Sequence, residues 1–354
     1  MPYSFTLTSE AGWMAIIEDI KKAEHSIDCE LFIVDIDDVG LYFLNTLRER
    51  SRAGVKVRLL VDAAGSYLFY LASTLKAELR ADGIQLSFFN HFIPWYPRTL
   101  KLWYFRNHRR SIIIDQKVSY TGGICFSKDM EGWRETMIRI DEKEALEDIQ
   151  QTYLRMWDLS ENQQFDKRTK PTSKNWLYLT NAPLPGKYYY YHAVLDLINK
   201  SKNNIFLTTP YFVPDYIFFR ALYKAAKRGV AVHLLIPKSC NHPIVDHAGD
   251  FYKEKLIKKG ARIYMYEKSM IHSKTGTFDD TACTVGSMNL DNVSLRYNFE
   301  GGLIIRDPEC IAEMKNQFQN DIKGLEPFTR AKWRERPFKE KVLMYLTWPI
   351  RKLL

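Results

Sequence analysis

The stretch MIHSKTGTFDDTACTVGSMNLDN, residues 270–292, carries a histidine, a lysine two positions later and an aspartate seven positions after the histidine. An upstream stretch, NHRRSIIIDQKVSYTGG at residues 107–123, repeats the pattern with an arginine in place of the lysine. The same offset, 164 residues, separates His108 from His272 and Asp115 from Asp279. One such pattern is compatible with chance, but two copies at one offset indicate an internal duplication.

The duplication extends beyond these two segments. FLNTLRERSRAGVKVRLLVD (43–62) aligns with FFRALYKAAKRGVAVHLLIP (218–237), and each predicts an amphipathic helix that ends at a glycine before a β-branched strand. Alternating helices and strands favour an α/β fold built from two duplicated halves, residues 1–165 and 176–328. We expect the halves to pack with pseudo-two-fold symmetry around one shared active-site cleft.

Strand periodicity separates the motif residues into two groups. On a regular strand, residues two apart share a face, so His272 and Lys274 would address one ligand together. Asp279 is an odd number of residues from His272 and would point to the opposite face, where it does structural work. The first copy gives the same arrangement with His108, Arg110 and Asp115.

Two histidines and two cations that meet in a cleft suit a phosphodiester. The cations would neutralise the phosphoryl oxygens, and this effect grows in the transition state. One imidazole can attack phosphorus while the other protonates the leaving oxygen, because an ordinary imidazole pKa of about 6.5 permits either role. This chemistry requires neither a metal nor a cofactor, and the sequence has no carboxylate or cysteine cluster typical of a metal site.

Composition narrows the class of protein. The net charge of +9 indicates an anionic partner: nucleic acid, a phospholipid surface or a phosphorylated substrate. The five cysteines are scattered and form no CxxC pair, which argues against a disulfide framework and a structural zinc site. We expect no signal peptide and no transmembrane helix, so a protein of this composition that meets a membrane would lie on its surface.

These motifs resemble those of the phospholipase D superfamily, whose signature is two His-x-Lys-x4-Asp segments. The continuations VGSMNLDNVSLRYNFEGGLII and TPYFVPD most resemble bacterial cardiolipin synthases. The N-terminal transmembrane helices of that family are not found here, which resembles its shorter members. The resemblance covers nearly the whole chain and implies the same two-half α/β fold.

The resemblance also implies roles for individual residues. The catalytic motifs would comprise His108, Arg110 and Asp115 in the first half and His272, Lys274 and Asp279 in the second, with the histidines reacting and the cations binding phosphate. Ser287 and Asn289 would line the second half-site. Glu135 and Glu300 fall where the family often has an acidic residue that orients the opposite histidine.

The first copy departs from the family pattern at two positions. Arg110 replaces the usual lysine and exchanges a point charge for a forked donor. Cys125 stands where the family has asparagine, so the first half-site loses an amide donor, while Gly123 keeps the pattern of small residues.

Three further stretches have alternative interpretations. CNHPIVDH (240–247) fits a loop at the cleft rim better than a metal site. FFNHFIPWYPRTLKLWYFRNHRR (88–110) mixes aromatic and basic residues and is either an interfacial lip or a buried aromatic cluster. Residues 329–354 form a basic, Trp-containing tail, either an interfacial anchor whose apolar side chains include Trp333 and Trp348, or a strap packed on the domain.

The favoured function is a phosphatidyltransferase that makes cardiolipin from phosphatidylglycerol through a phosphohistidine intermediate. It would act peripherally at an anionic cell membrane, on the cytoplasmic side. Alternatives are a phospholipase D, if water is the acceptor, a nuclease of the same superfamily, and a non-catalytic binder of anionic lipid. The residues disfavour nucleic acid as partner, since aromatic and lipid-synthase-like segments surround the motifs. They leave the oligomeric state open.

Overall fold

The computed structural model describes residues 2–91, 104–162, 174–183 and 187–354. In the first half the strands are β1 (Tyr3–Thr8), β2 (Ser26–Leu31), β3 (Lys56–Asp62), β4 (Gln85–Phe89), β5 (Ser111–Ile114), β6 (Val118–Gly122) and β7 (Arg134–Ile140). The helices there are α1 (Ser9–Lys21), α2 (Asp38–Arg52), α3 (Tyr67–Leu71), α4 (Ser73–Ala81) and α5 (Lys143–Asn162), with a short 3-10 turn at Lys128–Met130.

The second half repeats this order with a longer C-terminal extension. Its strands are β8 (Trp176–Ala182), β9 (Lys187–Tyr188), β10 (Asn204–Thr208), β11 (Phe212–Val213), β12 (Ala231–Pro237), β13 (Arg262–Tyr266), β14 (Thr275–Phe278), β15 (Ala282–Gly286), β16 (Leu290–Asp291) and β17 (Glu300–Ile305). Its helices are α6 (Tyr189–Lys200), α7 (Tyr216–Lys227), α8 (Pro243–Ile257), α9 (Asn292–Arg296), α10 (Pro308–Asp321), α11 (Arg330–Arg334) and α12 (Phe338–Thr347), and a 3-10 turn spans Trp348–Leu353.

Each half contributes one mixed sheet, and the two sheets share a strand order. The described strands of the first half are ordered β1-β7-β6-β5-β2-β3-β4. The second sheet is ordered β13-β12-β10-β14-β15-β17-β8-β9, which is the first order read in the opposite direction, from β4 to β1, with β9 added at the edge. In both, the three strands at one end are parallel and their neighbours are antiparallel. This confirms the predicted α/β fold with duplicated halves.

The aligned helix–strand segments fold in the same way. The side chain of Asp37 accepts from the Gly40 amide at 2.9 Å and caps α2, while Asp215 accepts from Phe218 at 2.7 Å and caps α7. Both helices are followed by a glycine at positive φ, Gly54 at 94° and Gly229 at 92°, before the chain enters β3 or β12. Glycine adopts this left-handed conformation without a steric penalty, so the predicted helix stops are confirmed.

Apolar clusters lie on both faces of each sheet. The outer faces are covered by α1 and α2 in the first half and by α6, α7 and α8 in the second. Between the sheets, another cluster mixes residues of both halves, including Ile113 and Ile138 from one and Val285 and Leu303 from the other. The two halves therefore share a core, although the division at residues 1–165 and 176–328 stays a prediction.

The tail packs on the second half more closely than an unattached anchor would. Trp333 is buried in the core of the second half, and the Trp348 ring lies 3.8 Å from that of Phe251. Arg336 forms a 2.5 Å ion pair with Asp250 of α8. Counting Trp333 and Trp348 as exposed apolar surface needs correction, because both rings complete the packing over α8. Among the tail's apolar side chains, Phe338, Tyr345 and Leu346 face outward.

None of the helices in the described part of the chain combines the length and apolar character needed to cross a membrane. Much of the predicted lip, residues 92–103, lies outside the described residues.

Candidate active site

The two histidine segments lie at the carboxyl edge of the parallel strands. Strand β5 runs antiparallel to β2 with Ser111 opposite Glu30, so His108, just before β5, lies beyond the carboxyl end of β2. Strand β14 runs antiparallel to β10 with Thr275 opposite Thr208, and this places His272 at the equivalent edge of the other sheet. The motif strand is shorter than predicted, because each histidine and its cation occupy the extended segment that precedes the strand.

Backbone hydrogen bonds tie each histidine segment to the opposite half. The His108 amide donates to the Phe299 carbonyl at 3.0 Å, and the Phe299 amide donates to the Arg106 carbonyl at 2.8 Å. Equivalent bonds run from His272 to the Arg134 carbonyl at 2.8 Å and from Arg134 to the Met270 carbonyl at 2.9 Å. Each histidine is thus held against the residue that precedes the opposite half's glutamate.

The glutamates pair with the histidines across the pseudo-two-fold axis. His108 Nδ1 lies 2.8 Å from Glu300 Oε1, and His272 Nδ1 lies 2.5 Å from Glu135 Oε2. Both carboxylates are fully buried. Because an ionised carboxylate only accepts, Nδ1 of each ring carries the proton and Nε2 keeps its lone pair. In both rings, Nε2 is therefore the nitrogen available for reaction.

Each motif cation contacts the histidine of its own half. Arg110 Nη2 lies 2.9 Å from His108 Nε2, and its Nη1 donates to the His108 carbonyl at 2.9 Å. Lys274 Nζ lies 2.9 Å from His272 Nε2 and donates to the His272 carbonyl at 2.5 Å. Positive charge therefore lies beside the reactive nitrogen in both half-sites, where a phosphoryl oxygen would be neutralised.

The environment keeps both imidazoles neutral in the ligand-free protein. Burial and the charge of Arg110 lower the pKa of His108 to about 4, although Glu300 opposes the shift. Burial and Lys274 lower the pKa of His272 to about 3 against the effect of Glu135. Neutral imidazole is the form that can act as nucleophile or base.

The acidic and basic partners of His272 are shifted as well. Burial would raise the pKa of Glu135, but Lys274 and His272 outweigh burial and bring it to about 2. Burial lowers the pKa of Lys274 to about 7, so this cation is close to losing its proton near neutral pH.

The two motif aspartates, Asp115 and Asp279, lie apart from the histidines and cations of the motifs. Both follow the motif strand in a left-handed turn, with φ of 53° and 51°, at the sheet edge opposite the histidines. Asp115 accepts from the amides of Glu24, His25 and Ser26 at 2.8–2.9 Å. Asp279 accepts from Lys202, Asn203 and Asn204 at 2.8–2.9 Å. These carboxylates fix the entry to β2 and β10, which agrees with the structural role that strand parity indicates.

The small residues after the motifs differ between the halves. In the second half, the Ser287 hydroxyl donates to the Glu300 carboxylate and accepts from the Gly301 amide at 3.0 Å. In the first half, Gly123 occupies the equivalent place, and a Cβ there would lie 2.5 Å from a Glu135 carboxylate oxygen. Ser287 therefore supports a glutamate, and Gly123 leaves room for one.

Asn289 in the second half and Cys125 in the first occupy equivalent positions but have different contacts. Asn289 is buried, and its side-chain oxygen has no hydrogen-bond partner within the described residues. Cys125 receives a 3.3 Å hydrogen bond from Arg110 Nε. The two departures of the first half therefore contact each other: the smaller thiol accepts from the guanidinium that replaces lysine.

Aromatic rings beside the histidines escaped the sequence analysis. The Phe32 ring centroid lies 4.7 Å from that of His108, and the Trp133 centroid lies 5.0 Å from that of His272. The available signal for Trp133 was its position two residues before Glu135. These rings restrict water around the imidazoles and contribute to the desolvation that lowers their pKa values.

The CNHPIVDH segment lies at the rim of this cleft. Tyr211 donates to the Asn241 side chain at 2.6 Å, and its ring lies 5.6 Å from that of His242 and 6.4 Å from that of His272. The Cys240 backbone N–H donates to the Asp246 carboxylate at 3.0 Å, and the described residues contain no cluster of side chains that could hold a metal ion. Residues 240–242 form a hydrogen-bonded loop beside His272, but the loop prediction is wrong for residues 243–247, which form the first turn of α8.

Comparison with known proteins identifies the family. The model of the cardiolipin synthase phospholipase D-like domain matches residues 16–157 and 194–322. A cardiolipin synthase of Clostridium perfringens (strain 13 / Type A) is 31% identical over 344 residues, which cover 91% of this chain and 70% of that protein. Cardiolipin synthase 1 of Staphylococcus aureus (strain COL) is 30% identical, with 92% and 68% covered.

A solved structure agrees on the fold. The phosphatidylserine synthase of Haemophilus influenzae Rd KW20 superposes with a TM-score of 0.77 at 14% identity, and the match covers 100% of this chain and 95% of that one. The resemblance inferred from the motifs is therefore confirmed: the chain belongs to the cardiolipin synthase family of phospholipase D-like enzymes, the phosphatidyltransferases of phospholipid synthesis.

Proposed function

We propose that the protein makes cardiolipin from two molecules of phosphatidylglycerol by two successive phosphatidyl transfers through a phosphohistidine. The observation that carries this proposal is the crossed pair of histidines, each with Nδ1 held by the opposite half's glutamate and Nε2 beside a cation. The cardiolipin synthase relatives supply the lipid substrate class.

In the first transfer, His108 Nε2 attacks the phosphorus of a phosphatidylglycerol. The bond from phosphorus to the oxygen of the headgroup glycerol breaks. His272 donates a proton to this oxygen, and glycerol leaves. Arg110 and Lys274 neutralise the two non-bridging oxygens. The bound phosphodiester carries negative charge into the site, which raises the pKa of His272 from its low ligand-free value and lets the imidazole hold a proton.

In the second transfer, a hydroxyl group of another phosphatidylglycerol replaces the departed glycerol. His272, now neutral, removes the proton of that hydroxyl as its oxygen attacks phosphorus. The bond between phosphorus and His108 Nε2 then breaks, which restores the free imidazole and releases cardiolipin. Glu135 and Glu300 keep their roles throughout, because each fixes a tautomer and stabilises the imidazolium that forms.

The remaining site residues support the second half-site. Ser287 holds Glu300 in place, and the unpaired oxygen of Asn289 is an acceptor for a substrate hydroxyl. Water in place of the second lipid would turn the same cycle into phospholipase D hydrolysis, giving phosphatidic acid.

We place this activity at an anionic membrane surface on the cytoplasmic side, because the substrate is a bilayer lipid and the chain carries a net charge of +9. The test is incubation of the purified protein with phosphatidylglycerol vesicles and, separately, with labelled DNA. Cardiolipin and glycerol should form in equal amounts, and His272→Ala should form neither. Phosphatidic acid as the main lipid product would indicate a hydrolase, and DNA cleavage without a lipid product would reject the proposal.

A further inference from the structure

The carboxyl edge of the parallel strands is surrounded by exposed apolar side chains. Ile36 follows β2, Tyr67 and Leu68 follow β3, Tyr216 and Ile217 follow β10 and β11, and Ile244 follows β12. Leu68 is 63% exposed and Tyr216 is 68% exposed. We call these six residues the apolar rim. Both histidines lie at this same edge, so the rim surrounds the mouth of the active-site cleft.

The composition of the rim sets it apart from ordinary surface. Its members come from separate connections in both halves, so no single local packing defect accounts for their exposure. Large apolar side chains that cluster on a surface mark a contact with another apolar phase. Elsewhere on the first half, Met14 and Tyr42 are exposed to a similar degree on the outer helices, 65% and 54%, and offer a matched comparison.

A basic groove continues from the rim along α7 and α8. It starts at Tyr216, which belongs to the rim, and its cations include Arg220, Lys224, Lys227, Lys255 and Lys259. Within the described residues, none of these five forms an ion pair with a carboxylate, whereas the neighbouring Lys258 pairs with Glu254 at 2.5 Å. We call the surface that these five cations line the α7–α8 groove. Their charge is left for an external anion.

We propose that the apolar rim and the α7–α8 groove form one contact surface for an anionic phospholipid bilayer, which covers the cleft mouth and the adjoining α7–α8 face. The inference rests on the proposed function, since it assigns the partner surface of the same site. A bilayer fits both parts: apolar side chains enter the acyl boundary, and the cations meet the headgroup phosphates. It is also broad enough to touch elements of both halves at once.

Vesicle sedimentation tests the rim. The double variant Leu68→Ser with Ile217→Ser removes one exposed aliphatic side chain from each half, and Met14→Ser with Tyr42→Ser is the matched control. With vesicles of phosphatidylglycerol and phosphatidylcholine, the rim variant should bind about tenfold more weakly, and the control should bind like wild type. Equal binding by wild type and the rim variant would overturn the assignment.

The groove is tested by its dependence on lipid charge. The variant Lys224→Ala with Lys227→Ala and Lys259→Ala should lose most of the gain in binding that wild type shows as the phosphatidylglycerol fraction rises. Its control replaces Lys22, Lys56 and Lys117 with alanine, because these exposed lysines belong to the first half and do not line the groove. An equal loss in both triple variants would show attraction by net charge alone, and would overturn the groove.

Short-chain phosphatidylglycerol below its micelle concentration separates the surface from the chemistry. Both variants should turn over this monomeric substrate at the wild-type rate and show unchanged melting temperatures. Lost turnover of the monomer in a folded variant would place these residues in the cleft instead of the bilayer contact. If the wild-type protein binds vesicles through the rim but turns over no lipid, the proposed function is rejected and the contact surface is retained.

Discussion

At the residue scale, the two half-sites differ most in their cations. Arg110 and Lys274 occupy equivalent places, and burial lowers the pKa of Lys274 to about 7. The charge of Lys274 is present below this pKa and is lost as the pH rises through it. The alkaline limb of the pH profile should therefore report Lys274.

We expect kcat/KM on monomeric phosphatidylglycerol to fall as the pH rises above about 7 in the wild type. Lys274→Arg keeps the charge, so it should move this alkaline limb to higher pH even if its maximum is lower. The measurement is a pH–rate profile of both proteins. Superimposable alkaline limbs would assign the titration to another group.

The contact between Arg110 and Cys125 makes a second prediction. Arg110→Lys should retain substantial activity, because the positive charge beside phosphate is the shared requirement, while Arg110→Ala should lose nearly all of it. Adding Cys125→Asn to Arg110→Lys recreates the pair of the second half and should not lower the activity further. Turnover by Arg110→Ala at the wild-type rate would show that the first half-site does not bind the reacting phosphate.

Asp279 should affect stability more than chemistry. Asp279→Asn weakens three hydrogen bonds to backbone amides and should cost about 1.5–3 kcal/mol of unfolding free energy, with little change in kcat. Burial opposes the shift, but those amides lower the pKa of Asp279, so its contribution is present above the ordinary value and is lost as the pH falls through the folded pKa.

The neighbouring Asp280→Asn is the control for denaturant unfolding. Its exposed ion pair with Lys315 contributes little. A large drop in kcat for Asp279→Asn at unchanged stability would return this residue to the catalytic group.

At the element scale, sequence patterns predict the regular segments well and the site segments only in part. The helices before Gly54 and Gly229 follow from amphipathic spacing and glycine, because both signals are local. The motif strands are shorter than strand parity implies, since β5 and β14 begin only after each cation. That start depends on backbone bonds from the opposite half, such as the one between His108 and Phe299, which no local pattern contains.

The tail shows the same limit, and a variant can separate its two roles. Its basic and aromatic residues predicted either an anchor or a strap. The buried side chains of the tail pack on the second half as a strap would, and the exposed ones are free to act as an anchor. Tyr345→Ser with Leu346→Ser should weaken vesicle binding and leave the melting temperature unchanged. Removal of residues 330–354 should also lower the melting temperature, because it removes Trp333 and Trp348 from the second half. An unchanged melting temperature after truncation would show that this packing adds nothing to stability.

At the scale of the whole molecule, duplication explains why one site needs both halves. The sequence predicted two halves and one cleft, because the motifs repeat at a constant offset. It also placed Glu135 and Glu300 near the opposite histidines through family resemblance. The supporting rings of Phe32 and Trp133 could not be predicted, because their positions depend on how the two sheets pack.

The central claim is that one histidine carries the phosphatidyl group between two lipids. The direct measurement is mass spectrometry of peptides from the protein mixed with phosphatidylglycerol and quenched under conditions that preserve phosphohistidine. We predict a phosphatidyl adduct on His108, an order of roles taken from family analogy, and none in His108→Ala. An adduct on His272 would reverse the roles. Cardiolipin formation with no adduct on either histidine, at quench times that sample the first turnover, would contradict the account.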